Sequence, residues 1–296
     1  MKNTTRRLLA ATVILALGAA VTACSGDSDS DSANEAAPPK TSAVVHGHVH
    51  GLGIDPSDGR IYVASHQGVF TLGEDGAARR VGTSRDDFMG FTVTKANTFL
   101  ASGHPAQGTG GHSNHGLIQS TDAGRTWQPR SLTGEADFHS LEYAHGIIYG
   151  YDSTNASLRV SKDGSAWVDR AELQALDIAV SPADPDTVLA TTADGVAKSA
   201  DGGRTFAPGR QPVIAFLSWV APRVLYGMDD SGGISRSTDG GSTWKQAGAV
   251  PGGQAQALTA VDAKRILAAT QTGVYESKDG GETFTKLLSV EAGDGH

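Results

Sequence analysis

Histidine is concentrated in one part of the sequence. Nine of the ten histidines lie between residues 46 and 145, and the tenth is the terminal His296. Neutral imidazole is the commonest protein ligand for zinc, copper and related ions. Cys24 is the chain's one cysteine, which excludes a thiolate-based zinc site, an iron–sulfur cluster and a disulfide framework. The histidine-rich part therefore predicts metal chemistry, provided that the fold brings these imidazoles together.

The rest of the chain repeats a short motif. The octad STDAGRTW at residues 120–127 recurs as SADGGRTF at 199–206, STDGGSTW at 237–244 and SKDGGETF at 277–284. A degenerate copy, SKDGSAW at 161–167, is one residue shorter. The motif aspartates are spaced by 41, 38, 38 and 40 residues, and they are Asp122, Asp163, Asp201, Asp239 and Asp279. A period near 40 with several short strands per unit is typical of β-propeller blades.

These octads resemble Asp-boxes, the BNR repeats of sialidase-like propellers. The resemblance implies that their aspartates hold a hairpin turn by hydrogen bonds and have no catalytic role. Glycine is abundant, with 38 residues in 296, as expected for many strands joined by tight turns. We predict an all-β, six-bladed β-propeller over residues 46–296, in preference to seven blades, and residues 43–45 are a candidate extra strand for the last blade.

Alignment of the repeats places several histidines at equivalent positions. In a four-stranded blade, the start of the inner strand and the loop between the second and third strands lie on one face. Residues 50, 89 and 139 start the inner strands of three consecutive blades, whereas residues 66 and 104 lie in the corresponding loops. We therefore expect one set of side chains beside the mouth of the channel, namely His50, His66, His104 and His139, with His48 and Met89 next.

This set predicts a transition-metal site. Imidazoles with a thioether and no thiolate favour copper, with zinc second. Asp87 and Asp137 begin the second and third blades, and they add an oxygen ligand or orient an imidazole from behind. The alternative is that these histidines are solvated or hydrogen-bonded to the backbone. His46, His112 and His115 are weaker candidates, and His145 is expected on the opposite face.

The N-terminus resembles a lipoprotein signal. Lys2, Arg6 and Arg7 precede an apolar stretch over residues 8–21, which ends in the sequence VTAC at residues 21–24. The resemblance to a bacterial lipobox implies removal of residues 1–23, lipidation of Cys24 and a place on the extracytoplasmic face of the cell membrane. Residues 24–45, rich in serine and aspartate, are expected to form a disordered tether.

Charge argues against one class of partner. The formal net charge is −8, and removal of the three positive charges in residues 1–23 makes it −11. Binding to nucleic acid requires a basic patch that neutralises phosphates. We therefore expect the lipid anchor to make the membrane contact, and an extracellular protein or glycan to be the other class of partner.

Two further functions remain open at this stage, one of them enzymatic. The Asp-box resemblance suggests a sialidase or glycosidase, for which Asp86, Asp87, Asp137 and Asp177 could supply paired carboxylates. However, Arg60-Ile61-Tyr62 begins a second strand, and it is not the Arg-Ile-Pro motif of sialidases. Asp-box propellers also occur in sortilin-type receptors and in lipid-anchored photosystem assembly factors, which bind proteins, so an assembly scaffold is the third possibility.

Overall fold

The computed structural model describes residues 44–291, and this part of the chain is all-β. It contains strands and turns but no helix, and hence no helix long and apolar enough to cross a membrane. The strands form six separate antiparallel sheets, with one added parallel strand. The predicted six-bladed β-propeller is therefore confirmed. The signal sequence, Cys24 and the tether up to residue 43 lie outside the described residues.

The strands follow one another blade by blade. The first is β1 (Val44–His46), followed in blade 1 by β2 (Val49–Ile54), β3 (Ile61–Ser65), β4 (Gly68–Leu72) and β5 (Ala78–Arg80). Blade 2 contains β6 (Asp87–Lys95), β7 (Thr98–His104), β8 (Leu117–Ser120) and β9 (Gln128–Ser131). Blade 3 contains β10 (Phe138–Ala144), β11 (Ile147–Asp152), β12 (Ser157–Ser161) and β13 (Trp167–Glu172).

The second half of the ring includes one incomplete blade. Blade 4 contains β14 (Ile178–Val180), β15 (Val188–Thr192) and β16 (Gly195–Ser199), and a single bridge between Val196 and Arg210 replaces its outer strand. Blade 5 contains β17 (Phe216–Ala221), β18 (Val224–Met228), β19 (Gly233–Ser237) and β20 (Lys245–Ala249). Blade 6 contains β21 (Ala255–Ala260), β22 (Ile266–Thr270), β23 (Gly273–Ser277) and β24 (Thr285–Glu291).

The two ends of the described chain meet in the last blade. Strand β1 pairs in parallel with β24, with Val45 opposite Val290, and becomes the outermost strand of a five-stranded sheet. This pairing covers the edge of β24, which would otherwise expose unpaired backbone groups. The expected extra strand on the last blade is therefore present, and because Val44 and Val45 belong to it, the expected tether can extend only to residue 43.

The core lies between neighbouring blades. Strands β3 and β22 are buried along their whole length, which explains why they read as continuous apolar runs and not as alternating patterns. Tyr62 of blade 1 meets Phe99 of blade 2 edge-on, with ring centroids 4.8 Å apart. The inner strands contact each other in the order β2, β6, β10, β14, β17 and β21, and β21 returns to β2. This packing fixes the starts of the inner strands around one central opening.

The Asp-boxes lie in the turns between the third and fourth strands or, in blade 4, directly after its third strand. In the box of blade 2, the Ser120 hydroxyl donates to Asp122 over 2.8 Å, and Gly124 N donates to Ser120 Oγ over 2.8 Å. In blades 5 and 6, hydrogen bonds from Thr243 and Thr283 lower the pKa of Asp239 and Asp279 to about 2. The strand order puts these turns on the face opposite to the starts of the inner strands.

Candidate metal centre

Five strand ends position the predicted histidines on one face of the ring. His48 and His50 lie at the start of β2, Asp87 starts β6, and His139 follows the first residue of β10. His66 directly follows β3, whereas His104 is the last residue of β7. Among residues 44–291, the side chains gather into two groups that could hold a metal ion, triad 1 (His50, His66, Asp87) and triad 2 (His104, Asp137, His139).

Triad 1 is open at its centre. The Nε2 atoms of His50 and His66 each lie 3.8 Å from an oxygen of Asp87, beyond hydrogen-bond distance. The two imidazoles pack against each other with ring centroids 4.6 Å apart. His50 Nε2 and Asp87 Oδ1 are buried and have no hydrogen-bond partner in the described structure. Unpaired buried polar atoms are costly, and a cation held between them would satisfy both.

Triad 2 already contains hydrogen bonds. His139 Nε2 donates to Asp137 Oδ2 over 2.7 Å, and Ser153 Oγ donates to the same oxygen over 3.2 Å. His104 Nδ1 donates to the backbone oxygen of Ser113 over 3.0 Å, which points His104 Nε2 toward Asp137 Oδ2 at 3.5 Å. A proton or a metal ion between these two atoms would bind both of them. Asp137 Oδ1 is buried and unpaired.

The two carboxylates differ in their electrostatics. Burial is the largest effect on Asp87, and it raises the pKa of its carboxyl against the opposing influence of His66 and His104. Burial also opposes ionisation of Asp137, but the hydrogen bond and charge of His139, with the charge of His104, lower its pKa overall. Burial and the neighbouring imidazoles hold the pKa of His50 well below 6.5, so this ring is neutral and free to coordinate at neutral pH.

The triads are joined through blade 2. Asp87 of triad 1 and His104 of triad 2 are directly opposite each other in the β6–β7 ladder. Gly103 makes this approach possible, because its φ is +140° and a Cβ there would lie 1.9 Å from the backbone oxygen of Asp87. Blade 2 therefore contributes one residue to each triad.

A second glycine lets the chain pass close to His66. Gly47 has a φ of +84°, and a Cβ on it would lie 3.0 Å from the Cβ of His66. The turn that carries His66 is fixed by Ser65, whose Oγ donates to Gly68 O and accepts from Gln67 N. The sequence thus builds a tight turn that holds this imidazole over β2.

His48 stacks on triad 1 without belonging to it. Its ring centroid lies 4.6 Å from that of His50. Val49 N donates to Gln256 Oε1 over 3.0 Å, which orients the Gln256 amide so that its NH2 group faces His48 Nδ1 at 3.4 Å. His48 Nδ1 is then the acceptor, so Nε2 carries the proton and is not free to bind a metal.

The remaining sequence candidates lie outside the triads. Met89 is half-buried on β6, two residues after Asp87. His115 Nε2 lies 3.3 Å from Asp86 Oδ2, and Asp86 Oδ1 accepts from Ala106 N, so this pair anchors the long loop between β7 and β8. His145, in the turn after β10, donates to Ser181 O at the opposite face, where it was expected.

A central cavity of about 350 Å³ opens beside the triads. His50 and His139, one from each triad, line it, together with Glu142 and Asp177. Enclosure and the charge of Asp177 raise the pKa of Glu142 to about 8. The sequence reasoning missed Glu142. The available signal was a carboxylate in the middle of an inner strand, which must face either the channel or a neighbouring blade.

Three of the four carboxylates considered for glycoside hydrolysis already have hydrogen-bond or ion-pair partners, and Asp87 is the exception. Asp177 accepts hydrogen bonds from Ser140 Oγ, Ile178 N and Leu217 N, so it ties blades 3, 4 and 5 together. Asp86 and Asp137 are held by His115 and His139, respectively. Arg60 forms an exposed ion pair with Asp58. The contacts of Asp86, Asp137 and Asp177 are those of residues that stabilise the ring, and they do not resemble the paired general acid and nucleophile of a glycosidase.

The spacing of the triads suits coordination chemistry. Two ligands 2.0–2.2 Å from a tetrahedral ion are separated by about 3.4 Å. The 3.8 Å separations in triad 1 and the 3.5 Å separation in triad 2 are close to that value. The 2.7 Å contact between His139 and Asp137 is shorter, and a metal ion would replace its proton. The triads could therefore each hold one ion with two nitrogen donors and one oxygen donor.

Known structures share the fold at low identity. No protein-family model and no curated protein sequence matches the chain. A GH74 xyloglucanase from Xanthomonas campestris is 16% identical over 82% of this chain and 45% of its own, with a TM-score of 0.54. YCF48 from Cyanidioschyzon merolae is 13% identical over 81% of this chain and 84% of its own, with a TM-score of 0.50.

A further structure, YCF48 bound to D1 peptide, is 12% identical over 79% of this chain and 91% of its own, with a TM-score of 0.53. The chain spans less than half the length of the xyloglucanase, and 37% of an ancestral GH74 enzyme that is also similar. At these identities the likeness shows the propeller fold alone. The protein is thus a six-bladed β-propeller similar in structure to GH74 xyloglucanase and YCF48.

Proposed function

We propose that this protein binds divalent transition-metal ions, one in each triad, at the rim of the propeller. The observation that carries the proposal is the set of imidazole nitrogens that face carboxylate oxygens at separations a metal ion could span. His50 Nε2 and Asp87 Oδ1 are buried, unpaired and 3.8 Å apart, and the hydrogen bond to Ser113 orients His104 so that its Nε2 lies 3.5 Å from Asp137 Oδ2. Such an arrangement is unfavourable when empty and becomes favourable when a cation occupies it.

The donor atoms bear on the identity of the metal. Imidazole and carboxylate ligands suit both Cu²⁺ and Zn²⁺, and the affinity of a given nitrogen and oxygen site for divalent ions peaks at Cu²⁺. We therefore propose copper as the preferred ion and zinc as the second. Met89, whose thioether contributed to the copper expectation, belongs to neither triad.

Metal content measured by equilibrium dialysis tests the proposal. The full chain, purified without a polyhistidine tag, is dialysed against Cu²⁺ or Zn²⁺, and the retained metal is quantified by mass spectrometry. We expect two equivalents per chain. The double variant His50→Ala with His139→Ala removes one donor from each triad, so it should retain no tightly bound metal.

A matched control removes a histidine that lies far from the two triads. His145→Ala also removes an imidazole that forms a hydrogen bond, here donated to Ser181 O, but His145 lies on the opposite face. This variant should keep both equivalents, and circular dichroism should show that all variants retain the β-sheet spectrum. Absence of bound metal in the wild-type chain, or equal retention by the double variant, contradicts the proposal.

We also propose that the protein acts on the outer side of a cell membrane, anchored through lipidated Cys24. The support is the basic, apolar and VTAC segments of the first 24 residues. Two or more acyl chains give stable anchoring, whereas a single chain is marginal. Cys24→Ser should move the protein from the membrane to the soluble fraction after cell fractionation. Unchanged membrane association would contradict the anchor.

A further inference from the structure

The central cavity contains a carboxyl group without a partner. Glu142 lies within β10 and is enclosed by the ring, and the charged group that acts on it is another carboxylate, that of Asp177. Among residues 44–291, no hydrogen bond or ion pair is formed by the Glu142 side chain. An enclosed carboxylate that neither a donor nor a cation satisfies is unfavourable. A ligand that brings both a positive charge and hydrogen-bond donors would remove this cost.

The rest of the lining does not supply that charge. Glu142 and Asp177 are the carboxylates among the described residues that line the cavity, and no lysine or arginine lies among them. The two imidazoles of the lining are occupied in other ways, because burial keeps His50 neutral and His139 Nε2 donates to Asp137 Oδ2. The cavity therefore has a negative potential, which attracts a cation.

The size and the free acceptors of the cavity favour an organic cation over a metal ion. Asp177 already accepts from Ser140 Oγ, Ile178 N and Leu217 N, so Glu142 is the carboxylate with both oxygens free. A hard ion such as Ca²⁺ takes six to eight oxygen ligands, whereas an ammonium group has three donors to satisfy. A volume of about 350 Å³ lies in the range of small-molecule sites.

We propose that the central cavity binds a small organic cation, a protonated primary amine whose ammonium group pairs with Glu142. The ammonium group donates charged hydrogen bonds to the carboxylate, which are stronger than those between neutral groups. Phe216 and Trp219 also line the cavity, and aromatic side chains offer contact to the apolar part of an amine and attraction to its charge. This inference goes beyond the proposed metal binding and does not depend on it.

A matched pair of small molecules tests the inference. Phenethylamine and 2-phenylethanol have the same carbon skeleton, but only the amine carries a charge. Each is titrated by calorimetry into the full chain in phosphate buffer with EDTA, which keeps the triads free of metal. Phenethylamine should bind saturably, and the alcohol should bind about tenfold more weakly or not at all. Equal affinities, or no binding of phenethylamine, would overturn the proposal.

A pair of variants locates the binding. Glu142→Gln keeps the shape of the side chain and removes its charge, so it should lower the affinity for phenethylamine by about tenfold or more. Glu172→Gln is the same change on the same blade, at the exposed end of β13, and it should leave the affinity unchanged. Equal effects of the two substitutions would contradict a site at Glu142. The comparison of the two small molecules needs no variant, so it stands whether or not Glu142→Gln folds.

A titration with Ca²⁺, in the same buffer system without phosphate and EDTA, separates the two kinds of cation. Binding of Ca²⁺ that is lost in Glu142→Gln, without any binding of phenethylamine, would identify an inorganic cation site and overturn the amine. Because the amine is titrated into the metal-free chain, failure of the proposed copper or zinc sites leaves its result unchanged. Failure of the amine likewise leaves the two triads standing.

Discussion

The two triads contain the same residue types but are prepared for a cation in different ways. Triad 1 has no internal hydrogen bond, its imidazoles stack against each other, and burial raises the pKa of Asp87. In triad 2 the carboxylate is hydrogen-bonded to His139 and Ser153, and His104 is oriented by Ser113. An open site gains a partner when metal binds, whereas an internally paired site must first lose a proton. We therefore expect triad 1 to fill first.

Removal of the imidazoles of one triad at a time should have the largest effect. His50→Ala with His66→Ala should abolish binding at triad 1, because a single carboxylate remains there, so one equivalent should be lost and the other should bind with the weaker affinity of triad 2. His104→Ala with His139→Ala should leave the first ion tightly bound and remove only the second. Competition with a coloured chelator measures both affinities. The reverse order of effects would show that the hydrogen-bonded triad is the stronger site.

Substitution of Asp137 and of Asp87 should affect the stability of the metal-free protein differently at pH 7, although both substitutions should weaken metal binding. Asp137→Asn breaks a charged hydrogen bond and should lower the free energy of unfolding by about 2 kcal/mol. Asp87→Asn removes a carboxylate whose ionisation burial opposes, so the stability should stay within about 0.5 kcal/mol or rise. Denaturant titration measures both, and both variants should lose metal. Equal destabilisation by the two substitutions would remove the distinction between the triads.

The free energy of unfolding, measured over a series of pH values, tests the raised pKa of Glu142, the carboxyl group inside the cavity. The pKa of Glu142 is raised from 4.5 to about 8 in the folded protein, so the unfolded chain releases this proton first. Its contribution to stability is therefore complete below about pH 4.5 and declines as the pH rises through about 8. Glu142→Gln should remove this decline and be more stable than the wild-type chain at pH 9.

The expected gain for Glu142→Gln is on the order of 1–2 kcal/mol, less than the full shift would give, because water in the cavity screens the charge. Unfolding midpoints at pH 5 and pH 9 measure it. A difference between wild type and variant that does not grow with pH would contradict the assignment.

The smallest expected effect comes from a change that converts His48 into a ligand. Gln256→Glu would accept hydrogen bonds from both Val49 N and His48 Nδ1, which moves the His48 proton from Nε2 to Nδ1 and frees Nε2 beside triad 1. The affinity of triad 1 should rise several-fold. In a His48→Ala background the same substitution should produce no gain. A gain in that background would place the effect in the added charge alone.

Sequence reasoning reached the fold because the repeated octads mark each blade and the period near 40 fixes the order of the strands. It also placed His50, His66, His104 and His139 on one face, since the position of a residue along a blade determines its face. It did not divide them into two triads. That division depends on Asp87 lying opposite His104 in a bulged ladder, and on the hydrogen bond of His104 to Ser113, which strand periodicity does not contain.

For Asp87 and Asp137, too, the sequence predicted the position in the fold but not the side-chain contacts. The sequence placed them at the heads of two blades and left open whether they bind a metal or orient an imidazole. Their side-chain contacts put each at the centre of a triad. Gln256, which sets the tautomer of His48, lies 208 residues away along the chain, and only ring closure brings it to blade 1.

Anomalous diffraction from crystals of the metal-loaded protein tests the central claim most directly. Data collected at the absorption edge of copper or zinc locate the ions independently of any variant. We predict one peak between His50, His66 and Asp87 and a second between His104, Asp137 and His139, each about 2.0–2.2 Å from its donor atoms. Peaks at other places, or no peak at this rim in crystals soaked with either ion, would contradict the account.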